Sequence, residues 1–280
     1  MMAPEYYIFT GEVIPDHVTH VLIDKSLKFV RKRAFYKHPN IQEVICHDGV
    51  EKIEEYAFHN CPRLRRVIMP GVKEVKRYAF NRCEALTYIE CSKLERIGET
   101  AFQLCKSLSS IDLPSITIVE RSTFSNCWSL VNVKFGKELE SIRGGAFFNC
   151  MSLERIALPL KDGMLTNNDT FQKCVELNHV HLVGGVYETI AAFLLEEWKN
   201  DMNEKIHAIN QTLPSRAGEK AQAIRYWIRS LLRKYTHYKA EHRRCLNMAA
   251  AALQAALPSD IVCKNIFPFI ELPSHTFEEN

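Results

Sequence analysis

A phrase of about 22 residues recurs along the chain, and this repetition constrains the fold more than any other feature. Its most regular mark is a phenylalanine, usually preceded by alanine and followed three residues later by cysteine. The phenylalanines stand at Phe35, Phe58, Phe80, Phe102, Phe124, Phe147 and Phe171. A unit this short has no core of its own, so neighbouring units must stack to bury their apolar sides.

Aliphatic residues recur in fixed columns on both sides of each phenylalanine. In one unit Leu108, Ile111 and Leu113 follow Phe102, and their spacing predicts a short strand with alternating inward positions. A partial coil without its own phenylalanine precedes the first full unit at Val18–Ile23, and the pattern loosens at 160–170 and ends near Val183. We therefore predict about eight stacked coils.

The stretches IGETAFQLC (97–105) and LSSIDLP (108–114) resemble the repeats of the BspA-like leucine-rich family, roughly S-I-x-x-x-A-F-x-x-C-x-x-L-x-x-I-x-I-P. The resemblance covers residues 13–183 and departs from the pattern at His38-Pro39, where the cysteine is replaced. It implies an α/β repeat, a right-handed leucine-rich solenoid, with a binding role. The later segment HYKAEHRR (237–244) is similar to one in the helical tails of protist members, which supplies no function.

Six cysteines recur once per coil, at Cys61, Cys83, Cys105, Cys127, Cys150 and Cys174. Stacked coils place them in a column, which cannot converge on a tetrahedral zinc ion, and disulfides between adjacent coils would be strained. Packing as small buried apolar groups is the favoured interpretation. Because the start of the sequence has no signal-peptide pattern, the cysteines also indicate an intracellular location, in the cytoplasm or nucleus.

No motif for catalysis, phosphate binding or metal binding occurs in the sequence, so we predict a non-enzymatic protein without a cofactor. His179 and His181 flank Val180 on one predicted strand, but no third metal ligand is evident. No apolar run is long enough to span a membrane, and a net charge of +3 does not by itself indicate nucleic acid.

The outward side of the strands is the predicted recognition surface for an unknown protein partner. Its side chains do not repeat from coil to coil, as expected if the coil fixes only the interior. The candidate contacts are Glu43, Ile45, Arg66, Ile68, Tyr88, Glu90, Asp112, Asn132, Lys134 and Arg155. Ile45 and Ile68, with Tyr88 beside them, are the expected apolar anchor. A plain solvated sheet face is the alternative.

After Gly185 the apolar spacing changes to that of helices, broken at Pro214. One amphipathic helix from Ile190 to Leu213 and a second with a coiled-coil-like seam predict an antiparallel hairpin, with Ser215 as the second N-cap. The second helix is basic, and its cations are Arg225, Arg229, Arg233, Lys234, Arg243 and Arg244. Two interpretations stay open for this helix: a solvated face, or binding to an acidic protein surface, an anionic membrane or nucleic acid.

The last segment, from Leu257 to Phe269, is similar to the opening of an F-box, which would make the chain a ubiquitin-ligase adaptor. Only 24 residues remain from Leu257, fewer than an F-box needs, so a short capping helix is the alternative. The predicted organisation is a lead-in (1–12), a solenoid (13–185), a helical hairpin (186–257) and a short helix with a tail (258–280). The predicted function is that of a protein-interaction scaffold.

Overall fold

The computed structural model describes residues 5–256, which form short strands followed by helices. The strands are β1 (Tyr7–Phe9), β2 (His20–Ile23), β3 (Phe29–Val30), β4 (Glu43–Ile45), β5 (Lys52–Ile53), β6 (Arg66–Ile68), β7 (Glu74–Val75), β8 (Tyr88–Glu90), β9 (Arg96–Ile97), β10 (Ser110–Leu113), β11 (Ile118–Val119), β12 (Asn132–Phe135), β13 (Ser141–Ile142), β14 (Arg155–Pro159) and β15 (His179–Val183). A 3₁₀ turn at Asn168–Phe171 precedes β15, and the helices are α1 (Val186–Ala191), α2 (Glu196–Thr212) and α3 (Lys220–Ala256).

Six of the coils contribute one strand to each of two parallel ladders, and the coils of β1, β14 and β15 contribute a strand to the first ladder only. The first ladder, which we call the strand face, consists of two sheets with the orders β1-β2-β4-β6-β8 and β10-β12-β14-β15. The second ladder consists of two-residue strands in the order β13-β11-β9-β7-β5-β3. Val44 pairs with Val67, and Val67 with Ile89, so equivalent residues of successive coils lie in register. The predicted stacked solenoid is confirmed, with about seven turns.

The N-terminal residues, predicted to be only a lead-in, already belong to the solenoid. Strand β1 pairs in parallel with β2, placing Tyr7, Ile8 and Phe9 opposite Val21, Leu22 and Ile23. The sequence does not reveal this strand because residues 5–12 carry none of the repeat columns.

The phenylalanine column forms the centre of the solenoid. All seven rings are essentially inaccessible to solvent. Consecutive rings from Phe35 to Phe171 lie 4.6–5.7 Å apart between centroids, with interplanar angles of 3–17°. These distances fall in the range of offset aromatic stacking, which stabilises a pair beyond the apolar area it buries.

Each coil turns sharply on both sides of its phenylalanine. Residues two positions before and two after the first six phenylalanines have φ values of 55–64°, the left-handed region, although all of them except Gly145 have side chains. At Phe171 only the residue two positions after it, Lys173, has this conformation. This conformation costs about 1–2 kcal/mol for a residue other than glycine. It is offset by hydrogen bonds to the next coil, such as Phe58 N–H to Ala79 O at 2.7 Å and Asn60 N–H to Asn81 O at 2.8 Å.

The cysteine column lies beneath these turns, and its predicted packing role is confirmed. Each thiol is buried and donates to the backbone carbonyl of the phenylalanine in the preceding coil, with S···O distances of 2.9–3.3 Å. Burial raises the pKa of Cys127 to about 12 and that of Cys105 also well above its ordinary value. Since the thiolate is the reactive form, burial lowers the reactivity of these two thiols.

The chain divides into two compact units. The first contains the solenoid up to residue 183 together with 213–225, and the second contains 184–212 together with the rest of α3. In the first unit Lys220 is buried at the end of the solenoid, and its ammonium group donates to the carbonyls of Val175 at 3.0 Å and Leu177 at 2.5 Å. Desolvation lowers the pKa of Lys220.

The second unit contains an antiparallel pair of helices, as predicted. Trp198 stacks on Tyr238 at 5.3 Å, Asp201 accepts a hydrogen bond from the Tyr238 hydroxyl, and Trp227 Nε1 donates to Lys205 O at 2.9 Å. The earlier α2 residues Trp198 and Asp201 contact the later α3 residue Tyr238, whereas the later α2 residue Lys205 contacts the earlier α3 residue Trp227. The two helices therefore run antiparallel.

Two helix boundaries differ from the prediction. The first helix is interrupted between Ala191 and Glu196, where the Leu194 N–H donates to Nδ1 of the buried His242 at 3.2 Å instead of to a helical carbonyl. Helix α3 begins at Lys220 rather than directly after Ser215, because a turn comes first. That turn is closed by a 3.0 Å hydrogen bond from Glu219 N–H to Arg216 O.

Candidate functional site

The strand face brings the predicted recognition residues into columns, one residue per strand. In the first sheet the columns are His20, Glu43, Arg66 and Tyr88, and beside them Leu22, Ile45, Ile68 and Glu90. In the second sheet they are Ser110, Asn132, Arg155 and His179, and beside them Asp112, Lys134, Ala157 and His181. No strand pairing joins β8 to β10 within the described residues, so the two sheets carry separate halves of the predicted surface.

Glu43 is not an accessible contact, contrary to the prediction, because its side chain is buried and already paired. It accepts a hydrogen bond from the Tyr6 hydroxyl at 2.6 Å and one from the Arg66 guanidinium at 3.1 Å. Arg66 also lies 5.4 Å from the centre of the Tyr88 ring, a cation–π contact. The hydrogen bond to Glu43 raises the pKa of Tyr6. Glu43, Arg66 and Tyr88 thus form a connected polar row on neighbouring strands, in which these contacts hold Arg66 and Tyr88 in place.

A row of aliphatic side chains runs beside that polar row. Ile45 and Ile68 are half-buried rather than exposed as predicted, because neighbouring strands lie directly against them. Half-buried Leu22 extends the row on β2, and Ile8, which is 58% exposed, extends it on β1. We call Ile8, Leu22, Ile45 and Ile68 the aliphatic row. Sequence reasoning missed Ile8 because β1 was not recognised.

The second sheet presents a polar surface. Asp112, Lys134 and Arg155 are exposed and Asn132 is half-buried. His179 and His181 are also exposed, with ring centroids 6.2 Å apart. Among the described residues no group of three or more histidine, cysteine or acidic side chains is arranged to hold a metal ion.

The cations of the basic helix do not form one free surface. Arg225 donates to the Leu165 carbonyl at 3.2 Å and to the Asn168 side chain. Lys234 forms an ion pair with Asp201. Desolvation by itself would raise the pKa of the Asp201 carboxyl group, but the contacts with Lys234 and the Tyr238 hydroxyl outweigh it and lower that pKa.

The remaining cations of α3 lie at its surface. Arg229, Arg233, Arg243 and Arg244 are exposed, and Arg244 pairs with Glu241 at 2.7 Å. The F-box-like segment from Leu257 to Phe269 lies outside the described residues.

These columns, ladders and turns define a leucine-rich repeat protein. The chain belongs to the BspA-type leucine-rich repeat family, whose model matches residues 15–129 and 95–200 in six copies. Proteins with this repeat are generally protein-interaction scaffolds and are typically not enzymes.

Solved structures of other leucine-rich repeat proteins are similar to this chain. A Treponema pallidum (T. pallidum) leucine-rich repeat protein is 22% identical, with 65% of this chain and 74% of that one covered and a TM-score of 0.39. A Bacteroides ovatus protein is 18% identical, with 64% and 69% covered and a TM-score of 0.32. The pneumococcal vaccine antigen PcpA is 16% identical, with 62% and 44% covered and a TM-score of 0.45. No curated protein sequence matches the chain.

None of the described helices has the length and apolar character needed to cross a bilayer.

Proposed function

We propose that this protein is a scaffold that binds a partner protein through the first sheet of the strand face. The observation that carries the proposal is the aliphatic row, which places four apolar side chains in register on neighbouring strands. A sheet face in water ordinarily carries polar groups, so a contiguous apolar row with an exposed end is typical of a contact surface.

The polar row beside it has the composition of an interface anchor. Tyrosine and arginine are enriched among the residues that dominate binding energy, and Tyr88 and Arg66 lie next to each other at its edge. Because Glu43 is satisfied inside the protein, its contribution is to orient Arg66 rather than to contact the partner. Ile45, Ile68, Arg66, Tyr88 and the newly added Ile8 are therefore the proposed contacts.

The test is a double substitution, Ile68→Asp/Tyr88→Ala, in the full chain. We expect it to abolish capture of the partner from a lysate of the native cell, while the melting temperature changes little because neither side chain is fully buried. Capture that is unimpaired by this variant would eliminate the first sheet as the binding surface.

A matched control lies in the turns of later coils of the same solenoid, away from the strand face. Trp128 and Met151 are equivalent residues of successive coils, exposed by 40% and 43%, and both lie in turns. Met151→Asp/Trp128→Ala makes the same kind of change away from the strand face, and it should leave capture intact. Loss of capture in the control alone would assign binding to the turn side instead.

Salt dependence separates this proposal from binding through α3. Capture by an apolar row changes little with ionic strength, whereas binding of nucleic acid or anionic vesicles by exposed arginines weakens steeply as salt increases. An intracellular location and the ubiquitin-ligase alternative remain predictions from the sequence.

A further inference from the structure

The turns of the first three coils differ from most later turns in their side chains. Two residues before the phenylalanine, these coils carry Arg33, Tyr56 and Tyr78, where later coils carry Thr100 and Ser122. One residue after the phenylalanine, the first two coils carry Tyr36 and His59, where later coils carry asparagine, glutamine or serine in most cases. Since the repeat fixes only the interior, this local concentration of aromatic and basic residues is not required by the fold.

The aromatic side chains form one continuous cluster across adjacent coils. Tyr56 stacks on Tyr78 at 4.9 Å, and Tyr36 stacks on His59 at 5.2 Å between ring centroids. The two stacks touch through an edge contact between Tyr56 and His59 at 5.6 Å.

Cations lie over the outer faces of these rings. The Arg33 guanidinium is 5.4 Å from the Tyr36 ring and 5.6 Å from the Tyr56 ring, and the Lys37 ammonium is 5.2 Å from the Tyr36 ring. Such contacts restrict long side chains that would otherwise sample many rotamers. We call Arg33, Tyr36, Lys37, Tyr56, His59 and Tyr78 the aromatic–basic patch.

The patch has a surplus of positive charge. Around it Lys32, Lys76 and Arg77 form ion pairs with Glu55, Glu54 and Glu99. In contrast, Arg31, Arg33, Lys37 and Arg82 have no carboxylate partner among the residues that the structure describes.

His59 lies inside the patch, where burial and these positive charges affect its pKa. Burial, with the nearby charges of Arg82 and Lys37, lowers the pKa of His59. Its Nδ1 atom is buried and has no hydrogen-bond partner within the described part of the chain.

We propose that the aromatic–basic patch is a second binding surface, which docks an acidic, aspartate- and glutamate-rich segment of a protein. Guanidinium groups pair with carboxylates in a fixed two-pronged geometry, and tyrosine hydroxyls at the rim add donors. Charge complementarity therefore selects an anionic occupant.

The arrangement of the rings favours an acidic peptide over nucleic acid. Single-stranded nucleic acid is held mainly by bases that stack on free aromatic faces. Here the rings already stack on each other or lie under Arg33, Lys37 and Arg77, the last at 4.8 Å from Tyr78. What remains for a ligand is the charge and the hydroxyl edges.

The test measures binding of a fluorescent peptide of eight consecutive glutamates to the full chain by anisotropy at low salt. Arg33→Glu/Lys37→Glu/Arg82→Glu should weaken binding at least about tenfold, a loss of about 1.4 kcal/mol. The matched control is Lys25→Glu/Lys93→Glu/Lys137→Glu, which makes the same change in net charge at exposed lysines that follow strands of the strand face. It should weaken binding less than about threefold, because screening reduces distant charge effects.

A second variant tests the aromatic part without altering charge. Tyr36→Leu/Tyr56→Leu removes the rings that position Arg33 and Lys37, and we expect roughly threefold weaker binding with unchanged circular dichroism. Unchanged affinity in this variant would contradict the role of the rings. Equal losses in the two charge-reversed variants, or no binding by the wild-type chain, would overturn the proposal.

An oligothymidylate of eight nucleotides serves as the competing probe. Binding of this probe as tightly as the glutamate peptide would replace the acidic segment by nucleic acid as the occupant. Ile68→Asp/Tyr88→Ala should bind the glutamate peptide normally, so failure of this proposal is distinguishable from failure of the strand-face proposal.

Discussion

When two phenylalanines of the central column are substituted together, their effects on the free energy of unfolding should add up only if the two rings do not touch. Phe80 and Phe102 lie 5.1 Å apart with planes 3° from parallel, whereas Phe58 and Phe124 are separated by both of those rings. We use leucine as the replacement because it keeps most of the apolar volume and leaves the chain folded.

The expected magnitude follows from these contacts. Each Phe→Leu change at a fully buried position should cost about 1–2 kcal/mol of unfolding free energy, less than the 3–5 kcal/mol of a change to alanine. Phe80→Leu and Phe102→Leu both remove the same stacking contact, which contributes about 0.5–1.5 kcal/mol. The double variant should therefore cost less than the sum of the single variants by that amount.

The assay is urea unfolding followed by far-UV circular dichroism for the wild type, the single variants and the two double variants. Phe58→Leu/Phe124→Leu is the matched control and should be additive within about 0.3–0.5 kcal/mol. An equal deviation from additivity in both pairs, or none for Phe80 and Phe102, would refute the stacked column as the source of coupling between coils.

Three further predictions concern single positions. Leu104→Asn should stabilise the chain by about 0.5–1 kcal/mol, because Leu104 has φ 63° and asparagine tolerates this conformation and would align with Asn126. The control Leu104→Gln should give no such gain when the urea midpoints of both variants are measured. Gly136→Ala should destabilise by at least about 2 kcal/mol in the same assay, because its Cβ would lie 1.9 Å from a backbone oxygen, whereas Gly218→Ala, with open space around it, should be nearly neutral. Desolvation lowers the pKa of His242, so the free energy of unfolding should fall as the pH drops from about 6.5 through the lowered folded-state pKa. The decrease in melting temperature between pH 7 and pH 5 should be smaller in His242→Asn, which keeps an acceptor for the Leu194 N–H. An equal decrease in this variant and the wild type would exclude His242 as the cause.

Much of the solenoid could be predicted because its interior is dictated by repetition. Positions such as Leu64, Val67 and Cys61 are set by the need of each coil to match the next, and all three are completely buried. The register of the strands follows from the same columns, because a slip by one residue would turn every buried side chain outward.

Features that depend on a single contact could not be predicted. Glu43 has the alternation of an outward residue, but it is buried and accepts hydrogen bonds from Arg66 and from the hydroxyl of Tyr6, which lies in a segment without repeat columns. Likewise, the break before α2 depends on a hydrogen bond to His242, 48 residues away in sequence. The helical spacing of the apolar residues around Leu194 does not indicate that its N–H will donate to His242.

The aromatic–basic patch has a signal in the sequence, which lies in the turn columns and not in the strand columns. Tyr56 and Tyr78 occupy equivalent positions of successive units, as do Tyr36 and His59. The residue types in these turn columns change after the third coil, and this change is the sequence signal of the patch.

The lysine at the end of the solenoid has a consequence for how such a chain changes its length in evolution. The carbonyls that accept hydrogen bonds from the Lys220 ammonium group belong to the final coil of the solenoid. Duplication of a middle coil would leave these hydrogen bonds unchanged. A coil added after the last one would instead separate Lys220 from the carbonyls of Val175 and Leu177. Lengthening is therefore expected from within the array, with its terminus inherited unchanged.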